Sequence, residues 1–284
     1  MAPGVPTAPP TAVRDHLPAE ARVHAIGGSE QADVWRADFD GGPRWIKVHR
    51  HPPHAAREAE ALTVAAAVAG YTPRLVATIE PATLVLSHVA GEPWSSTAAL
   101  PASAWSQLAR WLVAWHAQPV AVGDPVDPGT AYATRFTRAR QAVGDALGTR
   151  LAASVDACVD PTVFVGRRRG WCHRDLSLDN LRWSVDHGLG VIDFGQARAD
   201  VWPTDLAKLW ADPRVDATSR RALVDALPQG LSAVDEACLR QAVLLHGLVT
   251  LGWGVRHRVA ARVDEGRRVL ADATATRGPP PRGA

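Results

Sequence analysis

The stretch from His173 to Gly195 constrains the fold more than any other part of this chain. It opens with His173-Arg174-Asp175-Leu176-Ser177-Leu178-Asp179-Asn180 and closes with Asp193-Phe194-Gly195. Between them, residues 181–184 read as a strand, Val185-Asp186-His187-Gly188 as a turn, and residues 189–192 as the returning strand. A hairpin of this length brings Asp193 back beside the loop that carries Asp175 and Asn180.

A carboxylate, a carboxamide and a second carboxylate gathered in this way suit phosphoryl transfer. A hydroxyl nucleophile needs a carboxylate to take its proton, and a nucleoside triphosphate needs Mg2+ held by oxygen ligands. The pattern assigns Asp175 to the first task and Asn180 with Asp193 to the second.

Basic-residue usage supplies an independent signal. Of 31 lysines and arginines only Lys47 and Lys208 are lysine. Lys47 sits in the alternating run Arg44-Trp45-Ile46-Lys47-Val48, where a compact ammonium can address phosphate oxygens as a point charge. Upstream, residues 25–35 read as strand, Gly27-Gly28-Ser29 turn, strand, a shape suited to close backbone approach to a nucleotide at Gly28 and Ser29. The glycine turn is weak evidence by itself.

A chain of 284 residues, 46% hydrophobic and 21% charged, is expected to form one large or two small globular domains. The formal net charge of +2 argues against an electrostatic nucleic-acid binder. No apolar run reads as a bilayer span, and the Pro-rich start lacks a signal-peptide pattern, so the expectation is a cytoplasmic protein with no membrane partner. Cys158, Cys172 and Cys238 show no metal spacing and read as buried, reduced thiols.

Along the chain, residues 1–12 and 274–284 read as disordered tails. Strands are expected near 22–26, 32–38, 44–49, 75–80 and 83–88, with a helix near 54–69. From residue 91 the pattern becomes helical. Trp105, Leu108, Trp111, Leu112 and Trp115 form a core stripe in a helix near 101–117. Further helices are expected near 131–143, 146–158, 203–211, 217–226 and 232–262.

In this order the motifs resemble the protein-kinase-like superfamily, and within it the aminoglycoside phosphotransferase family of small-molecule kinases, over residues 20–260. The resemblance implies an α+β, bilobal fold: a small N-terminal lobe of sheet and one helix (13–90) and a larger, mainly helical C-terminal lobe (91–273). It implies ATP or GTP as phosphoryl donor with Mg2+. Asp175 is then the catalytic base, Asn180 and Asp193 the metal ligands, and Lys47 the contact to the α- and β-phosphates. Its partner is Glu58, with Glu60 the alternative. Ser87 and Val89 fall where the family's hinge holds adenine through backbone groups, and His173 and Arg174 shape the loop. Asp193 and Asp205 lie too close in sequence for the activation loop and peptide-docking segment of a protein kinase. Asp205-Leu206-Ala207 matches the segment that anchors the catalytic loop in small-molecule kinases.

The expected partner is a small-molecule acceptor, with the enzyme a monomer or homodimer. An antibiotic hydroxyl is the first expectation, on an aminoglycoside or a cationic cyclic peptide of the capreomycin and viomycin type. A metabolic acceptor such as choline, homoserine or a sugar is the alternative, and a nucleotide-binding regulatory module without turnover is the reading from another class. Asp179, Asp200, Asp212, Asp216, Asp235, Glu236, Asp264 and Glu265 are carboxylates that could meet a cationic acceptor, and Trp202, Trp210 and Trp253 could wall a pocket.

Overall fold

The structure is a computed structural model that describes residues 11–68, 72–79, 81–96, 100–120 and 126–275. Internal contacts divide the chain into two units, each discontinuous in sequence. The first takes residues 1–118 and 173–198, the second 119–172 and 199–284.

The first unit begins with a short helix α1 (Thr11–Arg14) and a five-stranded antiparallel sheet. Its strands are β1 (Arg22–Gly28), β2 (Ala32–Asp38), β3 (Arg44–His49), β4 (Leu75–Ile79) and β5 (Thr83–Ser87), in the order β1-β2-β3-β5-β4. Alternation sets their faces: Trp35 and Ala37 of β2 join Val13, Ile46, Ile79 and Val85 in one buried cluster. Helix α2 (Pro52–Ala65) starts where Pro52 and Pro53 need no backbone donor, and it buries Ala55, Glu58, Ala61, Leu62 and Ala65 along one stripe. A carboxylate on an alanine and leucine stripe requires a buried cation, and the site below supplies it.

A two-residue strand β6 (Glu92–Pro93) pairs antiparallel with the strand Leu181–Ser184, which in turn pairs with Gly188–Val191. This is the hairpin expected between Asn180 and Asp193. Gly91, just before β6, has φ +105°, and a Cβ there would stand 2.5 Å from the Trp183 carbonyl oxygen. Only glycine allows that approach. Helix α3 (Ala102–His116) buries Trp105, Leu108, Trp111, Leu112 and Trp115, the stripe expected from sequence. Trp111 and Trp115 both pack edge-on against Phe194, with centroids 6.3 and 5.5 Å away.

The second unit holds α4 (Pro128–Val143), α5 (Thr149–Cys158), α6 (Ala207–Ala211), α7 (Ala217–Asp225), α8 (Ala233–His257) and α9 (Ala260–Ala275). Tyr132, Phe136, Val155, Phe164, Leu244, Leu248, Leu251 and Leu270 lie in its core. Asp127 caps α4 by accepting from Gly129 and Thr130, and a capping box joins Ser232 and Asp235 at the start of α8.

Two sequence expectations are corrected here. The single helix expected over 232–262 is two, because α8 ends on Arg258 in the left-handed conformation (φ 57°, ψ 41°) and α9 starts at Ala260. Close packing explains the break: Gly247 and Gly254 of α8 and Gly266 of α9 each leave space that a Cβ would fill within 2.8 Å of the facing helix. Length and hydropathy would let α8 cross a bilayer, contrary to the expectation that no run qualifies, yet 61% of that window is buried inside the protein. The expected tails fall outside the described residues except at their inner ends, where residues 11, 12, 274 and 275 are helical. All three cysteines are buried and free.

Candidate active site

Strand β3 places Lys47, and the stripe on α2 places Glu58. Lys47 Nζ reaches Glu58 Oε1 at 3.0 Å and Oε2 at 2.8 Å. Glu58 is 1% exposed, whereas Glu60 points to solvent, so Glu58 is the carboxylate paired with Lys47. The same ammonium reaches Asp193 Oδ1 at 2.7 Å. Burial alone pulls the Lys47 ammonium down, but the Glu58 and Asp193 charges and hydrogen bonds outweigh it and hold its pKa above the ordinary lysine value. For Asp193, burial pushes the carboxyl up. Lys47, with smaller help from the Gly195 N–H, more than offsets this and keeps it below the usual aspartate range.

Asp193 adopts a left-handed conformation, φ 65° and ψ 71°, and caps the short turn Phe194–Gln196 through the Gly195 N–H. Gly195 packs its α-carbon against this cluster. A Cβ there would lie 3.2 Å from Glu58 Oε2 and 3.4 Å from both Asp193 Oδ1 and Lys47 Nζ. Phe194 is fully buried beneath it, 4.9 Å from the His173 ring.

The loop carrying Asp175 is fastened by His173. Its Nε2 lies 3.0 Å from the Ile192 carbonyl oxygen and its Nδ1 accepts from the Asp175 N–H at 3.3 Å. These partners assign the ring proton to Nε2 and tie Asp175 to the residue before Asp193. Arg174 turns the chain with φ 61°. Asn180 donates from Nδ2 to the Asp175 carbonyl at 2.8 Å, and its own carbonyl accepts from Ile192 N–H at 2.9 Å. The Asn180 carboxamide oxygen, turned opposite to that donor, and the ionised Asp193 carboxylate are hard oxygen donors of the kind Mg2+ takes.

In the turn between β1 and β2, Ser29 Oγ accepts from the N–H groups of Gln31 and Ala32 at 3.1 and 3.2 Å. Gln196 Nε2 donates to Gln31 Oε1 at 2.8 Å, linking this turn to the segment after Asp193. At the end of β5, the Ser87 N–H is already donated to the Arg74 carbonyl at 2.9 Å. The Ser87 N–H is thus engaged within the N-terminal unit, and Val89 is buried just beyond it. His88 accepts on Nδ1 from Trp45 Nε1–H at 3.1 Å, and burial with Arg36 and Arg182 lowers its pKa, keeping the ring neutral.

Most of the acceptor-directed carboxylates have structural partners. Asp200 pairs with Arg135, Asp212 with Arg214, Asp235 with Arg167 and Glu265 with Arg262, while Asp216 caps α7. Trp253 is 38% exposed and stacks on His257. Sequence reasoning missed His49, whose imidazole lies against Glu58. Its signal was present: on a strand, residue 49 shares the face of residue 47.

These features define a kinase-type phosphotransferase, and comparison with known proteins agrees. The chain matches the model of the phosphotransferase enzyme family over residues 22–241 and belongs to that family. Its fold is protein-kinase-like, as the resemblance implied. It is similar to the GDP and kanamycin complex of APH(2")-IIia at 16% identity, covering 90% of this chain and 94% of that one with a TM-score of 0.71. The gentamicin complex of APH(2")-IIa gives 14% identity, 93% and 96% coverage and a TM-score of 0.69. Choline kinase LicA from Streptococcus pneumoniae gives 14% identity, 91% and 95% coverage and a TM-score of 0.66. No functionally curated protein sequence matches the chain.

Proposed function

We propose that the protein is a nucleoside-triphosphate-dependent O-phosphotransferase that transfers a γ-phosphoryl group to a hydroxyl of a small-molecule antibiotic, an aminoglycoside or a cationic cyclic peptide. The observation that carries this reading is the single cluster in which Lys47 bridges Glu58 and Asp193 while His173 and Asn180 fasten Asp175 next to it in the chain's fold. Asp175 accepts the proton of the acceptor hydroxyl and aims it at the phosphorus. Lys47, held by Glu58, exchanges its contact with Asp193 for the α- and β-phosphates. Asn180 and Asp193 would hold Mg2+, which would supply positive charge against the phosphate oxygens. Gly28 and Ser29 offer backbone near the triphosphate, and Ser87 and Val89 meet the base. The similar structures include kanamycin and gentamicin complexes, which supports an aminoglycoside acceptor.

A metabolic acceptor is the second reading, and one observation favours it. A polycationic ligand needs carboxylates without internal counterions, whereas Asp200, Asp212, Asp235 and Glu265 are each paired with arginine. The similar choline kinase structure is consistent with a singly charged acceptor.

The test is nucleotide consumption by the purified protein with Mg2+ and either ATP or GTP, over a panel of aminoglycosides, cyclic peptide antibiotics and small metabolic alcohols. Mass spectrometry identifies the compound that gains one phosphate. Phosphate on an antibiotic supports the first reading, and phosphate on a metabolite alone replaces it with the second. Absence of transfer to every compound, with nucleotide still bound, overturns both in favour of a regulatory module.

A further inference from the structure

His49 is the last residue of β3, on the same strand face as Lys47 and two positions on. Its side chain is 1% exposed. The imidazole Nε2 stands 2.9 Å from Glu58 Oε2, the same oxygen that lies 2.8 Å from Lys47 Nζ. The imidazole contact falls short of a straight hydrogen bond, and neither Nε2 nor Oε2 has an aligned hydrogen-bond partner elsewhere among the described residues. Oε2 already faces the Lys47 ammonium, while both ring nitrogens of His49 are buried without an aligned hydrogen bond, so the 2.9 Å contact with Glu58 gives the imidazole a polar complement. Because a carboxylate oxygen only accepts, the proton facing it belongs on Nε2. The backbone of His49 is pinned as well, its N–H donating to the Ala82 carbonyl at 2.8 Å.

Glu58 therefore sits between two groups that descend from one strand face, the Lys47 ammonium and the His49 imidazole. A glutamate held only by Lys47 can swing with it. With Oε2 fixed from behind by His49, the carboxylate is a stationary anchor, and Lys47 can change partner from Asp193 to phosphate without Glu58 following.

We infer that His49 is a positioning residue for nucleotide binding, fixing Glu58 so that Lys47 Nζ is presented to the triphosphate. The inference deepens the nucleotide-dependent function proposed above and rests on it. The variant His49→Phe keeps the ring volume and removes the donor. His49→Gln carries its amide nitrogen close to where Nε2 lies and restores a donor.

The experiment measures the dissociation constants of ATP and GTP with Mg2+ for the full-length wild type and both variants by titration calorimetry, with melting temperatures alongside. Loss of one modest polar contact to the anchoring carboxylate leads us to expect roughly 5- to 10-fold weaker nucleotide binding in His49→Phe. His49→Gln should recover most of this loss, and in a Glu58→Gln background His49→Phe should add less than about 2-fold. Equal nucleotide affinity in His49→Phe and wild type overturns the inference. So does a loss in His49→Phe that His49→Gln fails to recover, because that pattern describes packing rather than positioning. A wild type that binds neither nucleotide sinks the proposed function itself, a result distinct from a wild type that binds and a variant that binds equally.

Discussion

Acid should weaken this protein through one imidazole of the second unit. His246 lies partly buried in α8, and burial, reinforced by Lys208, Arg262 and Arg268, pulls its pKa from 6.5 to about 4. The folded value lies below the unfolded one, so between them the unfolded chain binds a proton that the folded chain refuses. Lowering the pH through this window favours unfolding, with the loss starting near 6.5 and complete near 4. Linkage makes the full loss about 3 kcal/mol and the part between about pH 7 and about pH 5 roughly 2 kcal/mol. For a protein of this size that corresponds to a melting temperature lower by about 4 to 8 °C. The check is thermal unfolding of wild type and His246→Leu across this range, since leucine keeps most of the volume and takes no proton. The stability difference should move in favour of His246→Leu by roughly 2 kcal/mol as the pH falls. Parallel pH profiles for the two proteins would refute the assignment of this acid sensitivity to His246.

Other outcomes follow from the site. Asp175→Asn should reduce turnover at least about 1,000-fold while nucleotide affinity by calorimetry stays within about 2-fold, because the base acts on the acceptor and not on the triphosphate. Lys47→Met should leave the buried Glu58 carboxylate without its cation and destabilise the fold by about 3 kcal/mol or more, and adding Glu58→Gln should recover part of the loss in a denaturant melt. Gly91→Ala should cost about 3 kcal/mol in the same assay, from positive φ together with the contact against the Trp183 carbonyl. An alanine variant as stable as wild type would contradict the described path of the chain there.

Much of this was legible in the sequence because the active-site residues obey short-range rules. The hairpin from Leu181 to Val191 announces itself by a Gly188 turn between two apolar runs, and the α3 stripe by its helical spacing. The choice between Glu58 and Glu60 was also decidable. Residues 55, 58, 61, 62 and 65 share a helix face, and only residue 58 lies on it. The boundary between α8 and α9 was hidden, because an arginine makes the left-handed stop where glycine or proline is the usual marker. The partners of two buried carboxylates were hidden too. Arg135 and Asp200 are 65 residues apart and Arg167 and Asp235 are 68 apart, and no local pattern joins either pair. Nor does any local rule show that the Ser87 N–H is spent on the Arg74 carbonyl.

The reach from Lys47 to Asp193 spans 146 positions of chain, and a ribosome working at about 5 to 20 residues per second needs roughly 7 to 30 seconds to traverse it. During that interval the N-terminal sheet and α2 have left the exit tunnel while the hairpin bearing Asp193 has yet to be made. The ammonium on β3 does not wait unpaired, since Glu58 emerges only 11 positions later. The glutamate is thus the first counterion that synthesis makes available to this lysine, and Asp193 is the second.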